Sequence, residues 1–196
     1  MERRSACQAL MNCSMRADAK KNYDHLLEVA RSVIAEQGAE ASLRDIARRA
    51  GVGIATLYRH FPTREALLEV LLRDGFDRVA ARAAELEVTQ APGQALVSWL
   101  RDMVALTYDH RGVLASMAAA IDDEQSALHA SCVELKASGG RLLTLAQANG
   151  QAQPGIDGTD LLALVSALAW LNDQPPFAAR VEHLFDVIAA AILVKP

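Results

Sequence analysis

The chain has 196 residues, a formal net charge of −4, and a composition that is 52% hydrophobic but only 5% aromatic. This length suits one large or two small domains. The longest apolar stretch, residues 161–171, falls short of the roughly 20 residues that a membrane helix needs. The opening residues lack the apolar core of a secretory signal, and the cysteines show neither metal-binding nor redox spacing. Because Ala, Leu, Arg and Glu predominate, with Gly and Pro at intervals, we expect an all-α protein. The odd, sparse number of cysteines suits a reducing cytoplasm, and the short apolar stretches predict no membrane contact.

The charges are distributed unevenly along the chain. Residues 1–75 hold 12 Lys and Arg against 10 Asp and Glu, whereas residues 76–196 hold 8 against 14. The basic excess of the first part favours contact with nucleic acid, and the acidic excess lies away from it. Because that basic excess is small, affinity for DNA would need clustered arginines and a dimer.

The start of the chain is predicted to be unstructured. Residues 1–18 have mixed polarity and no sustained period, which indicates a disordered N-terminal extension. From Asn22 to Gln37 apolar residues recur at helical spacing, and Gly38 ends that pattern. We therefore expect a first helix over residues 22–37 that supports the two helices after it.

Residues 42–64 predict two short helices joined by a tight turn. Ser42, followed three residues later by Asp45, has the spacing of a capping box that starts the first of these helices. Gly51 suits the left-handed residue that ends it. The second helix is predicted over residues 54–61, because the residue before Pro62 disfavours the helical region.

Such a pair of helices forms a helix-turn-helix, whose second helix fits the major groove of B-DNA. Tyr, Thr, His and Arg side chains donate to phosphate oxygens, and Ala, Ile and Thr methyl groups contact thymine methyls. The competing interpretation is a helical hairpin inside some other α-protein. The side chains on the outward face of the second helix are Ile54, Ala55, Thr56, Tyr58, Arg59 and His60.

The segment SLRDIAxxAGVGxxTLYRHFxTRExL resembles the DNA-binding signature of the tetracycline-repressor (TetR) family of bacterial regulators, and the match extends over about residues 22–72. The resemblance implies an all-α homodimer, with an N-terminal three-helix DNA-binding domain and a larger helical effector-binding and dimerisation domain. The implied boundaries are 19–72 and 73–196. Gly53 and Ile54 stand where the family often has Ser or Thr and a polar or basic residue. The positions that commonly contact operator DNA in the family are Ser42, Arg44, Thr56, Tyr58, His60 and Arg64.

The second half of the chain predicts further helices. A long one, from Thr63 to about Leu86, leaves the DNA-binding domain and has a possible bend at Gly75. The last two are apolar nearly all round, so they need cover from a second subunit, as in a two-fold four-helix bundle. The later helices are expected over residues 95–109, 113–121, about 124–149 with a kink at 139–140, 160–172 and 177–194.

The candidate effector pocket is the interior of the second domain. Trp99, Met103 and Thr107 share one side of a helix, and apolar walls with a few polar groups suit a small hydrophobic or aromatic effector. The competing interpretation is that these side chains are ordinary core. The other residues expected to line the pocket are Met117, His129, Cys132 and Trp170.

No catalytic, nucleotide-binding or cofactor-binding motif is found in the sequence. Residues 122–124 are acidic, but with His129 they do not have the spacing of metal ligands, and a role at a helix start accounts for them. We therefore expect a sequence-specific transcriptional regulator without enzyme activity, cofactor or metal, most simply a repressor released from a palindromic DNA operator by an effector. The alternatives are a DNA-binding protein without an effector, and an all-α small-molecule-binding or enzymatic protein that retains a helix-turn-helix scaffold.

Overall fold

A computed structural model describes residues 2–38, 40–110, 112–172 and 174–194, with side chains described from Lys20 onward. These residues form ten α-helices and a 3-10 turn at Ala178–Arg180, and none of them forms a strand beyond an isolated antiparallel bridge between Ala152 and Leu193. The helices are α1 (Glu2–Gln37), α2 (Leu43–Arg49), α3 (Ile54–His60), α4 (Arg64–Thr89), α5 (Pro92–Asp109), α6 (Val113–Ser116), α7 (Ala118–Asp122), α8 (Ala127–Ala148), α9 (Gly158–Asn172) and α10 (Val181–Ile192). The all-α expectation is confirmed, and no described helix is long and apolar enough to cross a membrane.

Helix α1 begins at Glu2, which corrects the prediction of a disordered extension over residues 1–18. The physical reason lies in the composition of the segment. From residue 2 to residue 37 the chain holds neither Pro nor Gly, and Ala, Arg, Met, Gln and Leu are good helix formers. Gly38, with φ of 74°, follows the helix at its predicted end.

Helices α1, α2 and α3 contribute buried side chains to a hydrophobic core that is continuous with that of the later helices. Leu26, Ile46, Leu57 and Phe61 are each almost completely buried there. Two ion pairs hold α1 against its neighbours: Glu36 accepts from Arg49 of α2 at 2.7 Å, and Arg31 pairs with Asp74 of α4 at 2.8 Å. The hydrogen bond from Arg49 lowers the pKa of the Glu36 carboxyl. The short helices α2 and α3 therefore take their orientation from α1.

Helix α4 connects this N-terminal part to the rest of the chain. It begins where the Thr63 hydroxyl accepts a hydrogen bond from the Ala66 N–H at 3.1 Å. It continues as one helix through Gly75, where the sequence predicts a possible bend. A Cβ at Gly75 would lie 2.6 Å from Leu106 Cδ1, so this glycine allows α4 and α5 to approach closely.

The interior of the second part is built from α4, α5 and α8, which pack against one another. Helix α8 is continuous, whereas the sequence predicts a kink at residues 139–140. A Cβ at Gly139 would lie 2.2 Å from Cη2 of Trp99, a side chain that is 1% exposed. The absence of a side chain at Gly139 therefore allows α5 and α8 to pack closely.

The last two helices cover one side of this core. Asp157 caps α9, because its Oδ1 accepts from the backbone N–H groups of Thr159 at 2.7 Å and Asp160 at 3.1 Å. These bonds, the one from Asp160 first, lower the pKa of the Asp157 carboxyl. Two predicted helices are shorter in the structure: the one expected over 113–121 is divided at Met117, and α10 starts only at Val181, after the 3-10 turn.

Candidate nucleic-acid interface

The turn between α2 and α3 is fixed by its own backbone hydrogen bonds. The Val52 N–H donates to the Ala47 carbonyl at 3.0 Å, and the Gly51 N–H donates to the Arg48 carbonyl at 3.2 Å. This is the Schellman arrangement, which needs a left-handed residue between the last helical turn and the chain that leaves it. Gly51 has φ of 67°, so its predicted role is confirmed.

The predicted capping box at the start of α2 does not form. Ser42 sits at the N-cap with extended backbone, but its side chain makes no capping hydrogen bond. Asp45 is instead held by Arg48 and Arg49 of its own helix and by Gln37 of α1, whose amide donates at 3.1 Å. The Arg48 hydrogen bond, followed by the one from Gln37, lowers the pKa of Asp45. Two arginines and the Gln37 amide thus occupy the carboxylate that the capping box would need.

Helix α3 exposes a polar face to solvent and buries one side chain, that of Leu57, in the core. Its N-cap is Gly53, whose carbonyl accepts from the Thr56 and Leu57 N–H groups at 2.9 and 3.2 Å. Leu57 is completely buried. The side chains left exposed are Ala55, Tyr58, Arg59 and His60, and Ile54 and Thr56 are half-buried.

An aromatic cluster supports the end of α3. The Tyr23 ring of α1 lies 5.6 Å from the His60 ring in an edge-on arrangement and 5.6 Å from the Phe61 ring in a stacked one. Such pairs contribute beyond their buried area. His60 is therefore exposed and at the same time held in place from one side by Tyr23, which suits a side chain that meets a ligand in one geometry.

The predicted DNA contacts divide into two groups in the structure. Ser42 and Arg44 are exposed at the start of α2. Arg64, the first residue of α4, pairs with Glu40 at 3.2 Å and lines a cleft with Ser116 and Met117 of the second part. Arg64 is thus placed between the two parts of the chain. One of its terminal nitrogens, Nη2, is buried without a hydrogen-bond partner.

Two further arginines are exposed on α2 and α3. Arg59 is exposed on the last turn of α3, one helical turn after Ala55. Arg48 has a side chain that is 74% exposed on α2. The signal for Arg59 is present in the sequence, because it shares the outward face of the predicted second helix. The exposure of Arg48 depends on how α2 packs on α1.

The side chains predicted to line an effector pocket are mostly packed core. Thr107 donates to the Met103 carbonyl at 2.8 Å, and Nδ1 of the half-buried His129 lies 2.8 Å from the Ile121 carbonyl oxygen. Trp170 is 61% exposed and lies on the outer surface of α9, which corrects its placement in the interior. The buried side chains of that helix are Leu161, Val165 and Leu168. The buried members of the predicted set are Trp99, Met103, Met117 and Cys132.

A cleft of about 270 Å³ lies instead between α5, α9 and α10. The Arg101 guanidinium sits 4.3 Å from the centre of the Phe185 ring and pairs with Asp186 at 3.2 Å. Val104 and Tyr108 follow Met103 and Thr107 by one residue on α5, so the cleft adjoins the predicted side chains. The residues lining it are Arg101, Val104, Ala105, Tyr108, Ala169, Asn172, Val181, Glu182 and Phe185. Among the described side chains, no group of three or more His, Cys, Asp or Glu could hold a metal ion.

Comparison with known proteins supplies the family. A model described as bacterial regulatory proteins of the tetR family matches residues 26–71, and one described as the C-terminal domain of SbtR-like transcriptional regulators matches residues 91–192. The solved structure of the TetR transcriptional regulator SCO0520 from Streptomyces coelicolor is 30% identical, with a TM-score of 0.71 over 88% of this chain and 99% of its own. A TetR transcription regulatory protein from Mycobacterium vanbaalenii is also 30% identical, with a TM-score of 0.67 over 92% and 99%.

Curated relatives match over shorter segments. The HTH-type transcriptional repressor KstR2 of Mycolicibacterium smegmatis is 32% identical over 94 residues, which are 46% of this chain and 46% of that protein. The HTH-type transcriptional regulator SAUSA300_2515 of Staphylococcus aureus is 38% identical over 64 residues, 32% of this chain and 35% of its own. The chain therefore spans less than half the length of these curated relatives.

The fold and the turn between α2 and α3 define a helix-turn-helix protein. With matches across both halves of the chain, the protein belongs to the TetR family of bacterial transcriptional regulators.

Proposed function

We propose that the protein is a sequence-specific DNA-binding transcriptional regulator, and more narrowly a repressor. The observation that carries this proposal is the exposed polar face of α3, held by the Schellman turn at Gly51 and by the buried Leu57. A helix of this size enters the major groove, which is roughly 12 Å wide. Tyr58, Arg59 and His60 are the proposed phosphate-binding residues of α3.

Base reading is proposed for the first turn of α3. Ile54, Ala55 and the methyl group of Thr56 are apolar contacts that recognise thymine methyls. Ser42 and Arg44 at the start of α2 hold the adjacent backbone. The proposed DNA-binding domain spans residues 19–72, and the regulatory domain spans residues 73–196.

The operator is proposed to be an inverted repeat read by a homodimer. On the outer side of α9, of α10 and of the turn between them, large apolar side chains are exposed: Trp170, Val187 and Phe177 are 61%, 52% and 42% exposed. A surface of this kind on a monomer marks a protein interface. Packing α9 and α10 against their copies would form a four-helix bundle and cover it. Two α3 helices would then meet successive major grooves about 34–36 Å apart.

The proposed effector is a small hydrophobic or aromatic molecule, and the proposed site is the cleft between α5, α9 and α10. Its walls are apolar apart from Arg101, Tyr108, Asn172 and Glu182. It touches both helices of the proposed dimer interface, so a ligand there can change the angle between the subunits. The neighbour AibR, solved with isovaleryl coenzyme A and operator DNA, is 20% identical. Its ligand is therefore one member of a test panel and no more.

Coupling between the two sites is proposed to run through α4, which begins beside the helix-turn-helix and packs on α5 and α8. An effector that favours a dimer with a different spacing of the α3 helices weakens operator binding. By linkage, operator DNA must then weaken effector binding by the same factor.

The test is selection from a random duplex library with purified dimer at moderate salt. An enriched inverted repeat whose half-sites are one helical turn apart is the expected result. Tyr58→Phe removes one hydroxyl and should weaken binding to all enriched sequences by a similar factor, because a phosphate contact carries no sequence information. No enrichment from a folded dimer would contradict the proposed function, and a loss confined to certain sequences would contradict the role of Tyr58.

A further inference from the structure

A second cleft, of about 210 Å³, lies where α1 meets α4 and the corner between α5 and α6. It is separate from the cleft between α5, α9 and α10, with which it shares no lining residue. Its walls come from both parts of the chain, because α1 belongs to the helix-turn-helix part and Val113 of α6 to the other. We call it the junction cleft.

Arg31 supplies an unused hydrogen-bond donor in this wall. Its Nη2 pairs with Asp74 Oδ2 at 2.8 Å, but its Nε is buried and has no hydrogen-bond partner. A buried donor without an acceptor destabilises the state that contains it, and most such groups in folded proteins are satisfied. A ligand that carries an acceptor would satisfy this one after a small rotation of the Arg31 side chain, because Nε has almost no surface open to solvent.

The wall of the junction cleft holds two arginines and one carboxylate. Arg31 and Arg78 both line the cleft, and both pair with the single carboxylate of Asp74, at 2.8 and 3.5 Å. Asp109 is the one carboxylate in the wall itself, and it is exposed. His110 adds no charge near neutral pH, because burial lowers the pKa of its imidazole.

The remaining wall of the junction cleft is apolar. Ile34, Leu68, Leu71 and Val113 are buried residues of α1, α4 and α6 that line it. Its volume equals that of about seven water molecules, which is smaller than the cavities that hold drug-sized ligands. A ligand that matches this wall has a short hydrocarbon part and one anionic end.

We propose that the junction cleft binds a small monocarboxylate, whose carboxylate accepts from Arg31 Nε–H while its hydrocarbon part packs on Leu68, Leu71 and Val113. Because such a ligand touches α1, α4 and α6 together, it holds the helix-turn-helix part against the regulatory part. The site goes beyond the proposed function, and it can be tested on the full chain without DNA.

Isothermal titration of the protein with butyrate, and with butyramide as the neutral isostere, tests the proposal. Butyrate should bind, and butyramide should bind at least about tenfold more weakly, because hydrogen bonds to a charged acceptor are the stronger ones. Equal binding of the two, or no binding of butyrate, would overturn the anion site.

Three variants separate binding from structural support. Arg31→Lys can still pair with Asp74 but lacks the Nε–H, so it should lose about tenfold in butyrate affinity. Asp74→Asn breaks the same ion pair and leaves the donor, so its affinity should be retained or increased. Asp109→Asn should increase affinity by removing a like charge from the wall. Unchanged affinity in Arg31→Lys, or equal losses in Arg31→Lys and Asp74→Asn, would overturn the assignment. The outcome of the DNA selection bears on none of these results.

Discussion

The turn between α2 and α3 and the contact between α5 and α8 both depend on a glycine, for different physical reasons. Gly51 is needed for its backbone: it has φ of 67°, and nothing lies within 4 Å of where its Cβ would be. Gly139 is needed for its missing side chain, since a Cβ there would lie 2.2 Å from the Trp99 ring. The first requirement is local in the chain, and the second arises from residues 40 positions apart. The turn of the helix-turn-helix is thus built on local structure, and the interior of the second part on distant contacts.

The largest effect that we expect comes from Gly139→Ala. The added methyl group must displace a buried indole ring that has no free space, so unfolding free energy should fall by about 3 kcal/mol, the upper part of the range for overpacked cores. Urea unfolding followed by circular dichroism measures it.

Gly140→Ala is the matched control, because nothing lies within 4 Å of its Cβ position and the residue is on the same helix. Removing a mid-helix glycine there should stabilise the protein by about 0.5–1 kcal/mol. Destabilisation of similar size by both substitutions would show that α8, and not the Trp99 contact, sets the requirement.

A smaller effect is expected from Gly51→Ala. Alanine has space there but must adopt a left-handed backbone, which costs about 1–2 kcal/mol. Gly51→Asn should cost less, since asparagine tolerates this conformation better than other residues with side chains. Unfolding in urea measures both variants. If the two lose the same stability, backbone conformation is not the reason for glycine at this turn.

This difference explains what the sequence could predict. The Gly51 turn, the Thr63 cap and the Asp157 cap were predictable because each involves residues within a few positions of one another. From the sequence alone, Gly139 looks like the glycine of a helix kink. Only the position of Trp99 in the structure shows that it is needed for close packing. The capping box failed for a related reason: Gln37 of α1 and two arginines compete for Asp45.

The candidate sites follow the same rule. Tyr58 and His60 were predictable as exposed, because helical spacing around the buried Leu57 determines the outward face of α3. The place of Arg64 beside Ser116, and of Trp170 on the outer surface, depends on how distant helices pack. The junction cleft brings together residues 31 and 113, which no spacing along the chain connects.

Arg59→Ala tests whether the exposed face of α3, which local helical spacing determines, binds DNA. If Arg59 binds a phosphate, its loss should weaken operator binding about tenfold and reduce the slope of log affinity against log salt by about 1. Fluorescence anisotropy with an enriched operator at several salt concentrations measures both quantities. The control is Arg141→Ala, which removes an exposed arginine from α8, paired with Glu134 at 3.2 Å and distant in the chain from the helix-turn-helix. An equal change in both variants would indicate bulk charge and not a contact.

The smallest effect that we expect is on the pH dependence of stability, through the buried side chain of His110. His110 is 4% exposed at the end of α5, and its Nδ1 lies 2.9 Å from the Leu106 carbonyl oxygen. Burial lowers its pKa from 6.5. The Leu106 and Leu71 carbonyls and Asp109 oppose that shift, and Arg78 adds to it. Arg31 of α1 is the other charged side chain in the same wall.

A buried neutral histidine makes the unfolded state the one that binds more protons, so stability rises with pH in this window. Unfolding free energy should therefore fall as pH drops below about 6.5, by at most about 1.4 kcal/mol per unit, until the lowered pKa is reached. The measurement is urea unfolding between about pH 5.5 and pH 7.5, a range of about two units that spans the ordinary histidine pKa. His110→Gln should flatten the slope relative to the wild type, whatever its own stability. An unchanged slope would show that protonation of His110 does not account for the pH dependence of the unfolding free energy.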